Sequence, residues 1–80
     1  SGPFTIGRSS DTQLQLNDGH VSRRHAEIVQ VGGDWHVRDL GSRAGTFVND
    51  VRVEDAALKA GDRIRIGETE LRVDLGESSA

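Results

Sequence analysis

The chain has 80 residues, no Cys, ten Lys and Arg against thirteen Asp and Glu, and a formal net charge of −3 at pH 7. Such a chain makes one domain at most, with a thin core and no disulfide or thiolate metal site to reinforce it. It lacks the large basic excess of a nucleic-acid binder, an apolar run long enough to enter and span a membrane, and a signal-peptide pattern.

Counted along the chain, residues 1–30 and 31–53 are each neutral, and the deficit lies in residues 54–80, where seven acids face four bases. The absence of Cys fits a reducing compartment. The expected location is therefore cytoplasmic, or nuclear if the source is eukaryotic.

The elements predicted in chain order are almost all strands. Phe4-Thr5-Ile6 alternates and stops at Gly7. Leu14 and Leu16 alternate around Gln15 and stop at the turn cluster Asn17-Asp18-Gly19. Ala26 to Val31 forms the next strand, and Gly32-Gly33-Asp34 makes a hairpin connection to Trp35 and Val37. Phe47 and Val48 follow Thr46, Asn49-Asp50 turns, and Val51 and Val53 alternate again. The stretch from Glu54 to Ala60 has helical composition but is too short for a stable helix, and reads as a loop with a helical turn. Ile64 and Ile66 alternate, Gly67-Glu68 turns the chain, and Leu71, Val73 and Leu75 finish it. The fold class this implies is all-β, an antiparallel sandwich or barrel. Trp35, Phe4 and Phe47 are expected as its large core fillers. The domain is expected over 1–76, with a polar tail over 77–80 that frays.

The chemistry lies where strand patterns stop. Arg8, Ser22, Arg23 and Arg43 stand on separate loops of an acidic chain, and guanidinium forks with a hydroxyl make a good socket for a phosphate dianion. Arg8 can also be an ordinary surface arginine, Ser22 a cap on the turn that ends at His25, and Arg24 part of a solvated face. Nothing points to catalysis or a cofactor. There is no Gly-x-Ser-x-Gly and no paired carboxylate constellation, and His20, His25 and His36 are not at metal spacing. Few aromatics are present for stacking on bases.

Phe4-Thr5-Ile6-Gly7-Arg8, Val21-Ser22-Arg23-Arg24-His25-Ala26 and the run from Asp39 to Asn49, in that order and followed by Leu58…Gly61-Asp62-Arg63-Ile64…Ile66-Gly67, resemble the forkhead-associated (FHA) domain. The resemblance covers nearly the whole chain. It implies a β-sandwich of the SMAD/FHA type that binds phosphothreonine peptides through loops at one end. Its partner would be a threonine-phosphorylated protein, modified by an upstream Ser/Thr protein kinase in signalling.

By the same resemblance Arg8 is the phosphate-binding arginine and Ser22 donates its hydroxyl to phosphate. Arg23 contacts phosphate or peptide backbone, and His20 lies on a loop that reads residues after the phosphothreonine. His25 braces the loops from within, and Gly7, Gly45, Thr46 and Asn49 support them. Two departures from the family pattern stand out. The position before Gly45, commonly an Asn that grips the peptide main chain, is Ala44, preceded by Arg43 where Thr or Ser is common. Only three residues precede Phe4, where the family usually has a further strand, so the expectation is either a sandwich that tolerates the lack of that first strand or one in which another chain or segment supplies it. Ala44 also keeps open an alternative, an interaction module of this fold that binds its partner, or another copy, independently of phosphorylation.

Overall fold

A computed structural model of the chain describes residues 3–74. Leu75, expected to end the last strand, and the tail over 77–80 lie outside the described residues. Nine strands are formed: β1 (Phe4–Gly7), β2 (Leu14–Gln15), β3 (Ala26–Val31), β4 (Asp34–Asp39), β5 (Thr46–Val48), β6 (Val51–Val53), β7 (Asp55–Ala57), β8 (Arg63–Ile66) and β9 (Thr69–Arg72). They make two sheets, β2-β1-β3-β4-β7 and β6-β5-β8-β9. Every pairing is antiparallel except that of β1 with β2, which run parallel.

The alternation in the sequence sets which side chains meet between the sheets. Ile6, Ala26 and Val37 from one sheet and Val48, Ile64 and Ile66 from the other are buried, with Val21 and Leu58 closing the core from loops. Asn49 and Asp50 both take positive φ (50° and 69°), the geometry of a two-residue hairpin turn whose twist matches the flanking strands.

Two expectations fail. The segment after Glu54 is not a loop with a helical turn; Asp55–Ala57 is β7, paired with β4 through His36↔Ala57, Val37↔Ala56 and Arg38↔Asp55. A three-residue helix would leave its backbone groups unpaired, whereas β4 offers a free edge to pair with. Asp55 also accepts from Arg38 Nε at 2.9 Å and meets His36 Nδ1 at 2.8 Å.

The core, moreover, is aliphatic. Phe4 and Trp35 remain 44% and 39% exposed, and Phe47 lies on the outer face of its sheet beneath Arg65, whose Cζ is 4.3 Å from the ring centroid. Phe4 and Trp35 rim an apolar hollow of about 470 Å³, lined also by Ile28, Leu58 and Leu71. It lies toward the end of the sandwich away from Gly7 and Thr46.

Candidate functional site

Three loops gather at the other end: 8–13 after β1, 16–25 before β3, and 40–45 between β4 and β5. Gly7 makes the first approach possible, because a Cβ there would lie 2.0 Å from the Arg23 carbonyl oxygen. The backbones are then laced together. Arg8 N–H donates to Ser22 O at 3.0 Å, Ser9 N–H to Arg23 O at 3.1 Å, His25 N–H to Ile6 O at 2.9 Å and Leu40 N–H to His25 O at 2.9 Å. Thr12, buried, donates its hydroxyl to Ser9 O at 2.7 Å and so closes the first loop on itself.

Arg8 Nε donates to Val21 O at 3.0 Å. That bond fixes the guanidinium plane, and among the described residues nothing holds its terminal nitrogens. Ser22 Oγ accepts the Arg43 N–H at 3.3 Å, which joins the second loop to the third. A serine hydroxyl has one donor and two acceptor positions, so its proton stays available. The side chains of Arg23 and Arg43 are exposed and have no partner among the described residues. Arg24 differs, since it pairs with Asp11 Oδ2 at 2.9 Å on the surface.

Beneath these groups lies a closed polar network. His25 is fully buried. Its Nδ1 accepts the Ser22 N–H at 3.1 Å, so its Nε2 carries the proton and donates to Gly45 O at 2.8 Å. One ring thus spans the second and third loops. Asp39, at the end of β4, accepts from Gly41 N at 3.0 Å, Ser42 N at 2.9 Å, Thr46 Oγ1 at 2.7 Å and Ser42 Oγ. Burial opposes ionisation of this carboxyl, but the bonds from Ser42, Thr46 and Gly41 together outweigh it and hold it below the usual aspartate range. Ser42 Oγ in turn accepts Gly45 N–H at 3.0 Å, which fixes the turn at Gly45 (φ 90°).

Arg8, Ser22, Arg23, Arg43 and Ala44 are therefore brought to one end, above Gly7, His25, Gly45 and Thr46. Ala44 is half-buried. His20 is on the same second loop but turns toward the β8–β9 turn, with Nδ1 3.4 Å from Asp18 Oδ1 and 3.1 Å from Glu68 Oε2. Asn49 is not with them. It lies at the far end of β5, where Nδ2 donates to Asp62 Oδ1 at 3.0 Å and Oδ1 accepts from Arg63 N at 3.0 Å.

Sequence reasoning passed over Asp39, although an Asp three residues before a Ser, with a Gly between them, signals a carboxylate that caps the following turn. Asp18, which accepts from Glu68 N at 2.7 Å and Thr69 Oγ1 at 3.0 Å, carried no such local signal, because its partners are some fifty residues away. Among the described residues no group of three or more His, Asp or Glu could hold a metal ion, and no helix is long and apolar enough to cross a membrane.

The family model of the FHA domain matches residues 4–67. The chain belongs to the FHA family. Over 72 residues it is 39% identical to the FHA domain-containing protein FhaB of Mycobacterium tuberculosis, covering 89% of this chain but only 46% of FhaB. The chain thus spans less than half the length of that curated relative.

Two solved structures extend the likeness. An FHA domain studied for phosphothreonine-dependent FHA domain interactions superposes with a TM-score of 0.90 at 41% identity, covering 98% of this chain and 81% of that one. Mycobacterium tuberculosis EmbR in complex with a low-affinity phosphopeptide superposes with a TM-score of 0.85 at 36% identity, covering 90% of this chain and 19% of EmbR.

Proposed function

We propose that this FHA domain binds a threonine-phosphorylated segment of a partner protein, so that contact forms once a Ser/Thr kinase has acted. The observation that carries the reading is the pairing of Arg8 and Ser22. The Arg8 backbone and Nε are both anchored on the Val21-Ser22 segment, while the terminal nitrogens of Arg8 and the hydroxyl proton of Ser22 remain available. A phosphothreonine carries about −1.5 to −2 charges at pH 7. Arg8 supplies a fixed fork for two phosphate oxygens, Ser22 donates to one of them, and Arg43 or Arg23 completes the neutralisation. Among solved structures, the phosphothreonine dependence of one FHA neighbour and the phosphopeptide bound to EmbR support the same chemistry. The domain acts as a binding module, its polar groups spent on holding loops rather than on proton transfer.

Titration calorimetry with phosphothreonine, phosphoserine and unphosphorylated peptide pools tests this. Binding is expected from the phosphothreonine pool alone. Two charge-assisted bonds of about 1.5–3 kcal/mol each set the loss for Arg8→Ala at about 100-fold or more, with an unchanged circular dichroism spectrum. Undiminished binding by that variant, or equal binding of the unphosphorylated pool, would refute the reading and leave phosphate-independent contact in its place.

A further inference from the structure

The outer face of the four-stranded sheet carries a second concentration of positive charge. Phe47 lies opposite Arg52 on β6 and opposite Arg65 on β8, and Arg65 lies opposite Glu70 on β9, so these four side chains form one row across the sheet. Arg63 and Arg72 face each other in the next row on the same side. Of these four arginines only Arg63 has an ion pair among the described residues, with Asp50 at 3.4 Å. Arg65 is directly opposite Glu70 yet stacks on Phe47 instead, and its Nε is buried without an acceptor. An acidic chain thus holds four of its ten basic residues on one sheet face.

This row runs into the phosphopeptide loops. A Cβ on Gly45 would lie 2.8 Å from Arg52 Nε and 3.0 Å from its Cζ, so the Arg52 guanidinium rests directly on Gly45. Gly45 follows Arg43 and Ala44 and is the residue whose carbonyl His25 holds. A peptide seated over Arg8 and Ser22 and running past Ala44 would come next to Arg52, which lies against Gly45. Arg52 is exposed and has no partner among the described residues, so its fork can take a carboxylate, which a guanidinium holds in a bidentate grip.

We infer that Arg52 is a further peptide-binding residue, which reads an acidic side chain flanking the phosphothreonine, with the stacked Arg65 extending the same positive strip. The inference rests on the phosphothreonine reading above and adds a preference to it. Arg52 also compensates in part for Ala44, which offers the peptide no side-chain hydrogen bond: a charged contact beyond the loop stands in for a neutral one within it.

The test is a calorimetric titration of three peptides, namely a phosphothreonine flanked on both sides by Ala, the same peptide flanked by Asp and Glu, and the acidic peptide without phosphate. Wild type is expected to bind the acidic-flanked phosphopeptide about 5- to 10-fold more tightly than the Ala-flanked one and the unphosphorylated one not at all. Arg52→Gln should abolish that preference while leaving affinity for the Ala-flanked phosphopeptide within about two-fold, and Arg52→Lys should retain part of it. Equal affinities of the two phosphopeptides for wild type, or a preference that survives Arg52→Gln, would overturn the inference while leaving the phosphothreonine reading intact. Failure of both phosphopeptides to bind would overturn that reading, and this inference with it.

Discussion

The two ends of this sandwich are built on opposite principles. At the loop end, buried and half-buried polar groups are matched by partners: His25 by Ser22 and Gly45, Asp39 by four donors, Ser42 by Asp39 and Gly45. At the other end, Phe4 and Trp35 stand half out of the core around an open apolar hollow. The first end uses directional bonds, which fix positions to fractions of an ångström. The second uses area, which is tolerant of small displacements. A receptor for a tetrahedral anion needs the former, and the side chains that would meet phosphate rest on the network that supplies it.

Substitutions at the two ends should therefore differ in kind. The largest effect is expected from His25→Ala, which strands a Ser22 N–H and a Gly45 carbonyl in the interior. At about 1–3 kcal/mol for each unsatisfied group, thermal unfolding should show a loss of about 2–6 kcal/mol, and phosphopeptide affinity should fall with it. Trp35→Ala, read in the same two assays, should lower stability while leaving affinity unchanged. A parallel fall in affinity would erase the distinction between the ends.

Asp39→Asn comes next. It keeps the size of the side chain but removes the charge that four donors share, and should cost about 1–3 kcal/mol. The pH dependence has a definite sign. The folded-state pKa of Asp39 is depressed, so its contribution is fully present above the ordinary carboxylate pKa of about 3.9 and is lost as pH falls through the lower folded-state value. Urea midpoints measured from pH 6 down to pH 2 should fall less steeply for Asp39→Asn than for wild type. The smallest effect is a gain. Ala44→Asn should restore one or two peptide hydrogen bonds, worth about 0.5–1.5 kcal/mol each, and tighten phosphopeptide binding several-fold by calorimetry with no change in stability.

Much of this was legible in the sequence. Strand alternation placed eight of the nine strands, and Gly7, Arg8, Ser22, His25 and Gly45 stand out because each belongs to a local phrase with a recognisable pattern. The failures share a physical cause. β7 was hidden because Asp55-Ala56-Ala57 has helix-forming composition and becomes a strand only through the free edge of β4. The aromatics were assigned to the core by size, but residue size does not reveal which end of a sandwich is open. The resemblance groups Asn49 with the loops, yet three residues of β5 carry it to the opposite end. The arginine face was invisible for a related reason. Counted along the chain, residues 54–80 are the acidic part, and yet Arg63, Arg65 and Arg72 come from that part; strand pairing gathers them on one face, where Glu70 is the carboxylate opposite Arg65.

The five-stranded sheet is bounded by β2, two residues long, and β7, three residues long and opening on Asp55. Strands so brief expose few unpaired N–H and C=O groups, so neither border of this sheet offers a template on which a foreign strand could lengthen the ladder. The segment misread as helical is in this sense a stopper: it closes the edge of β4, six residues long.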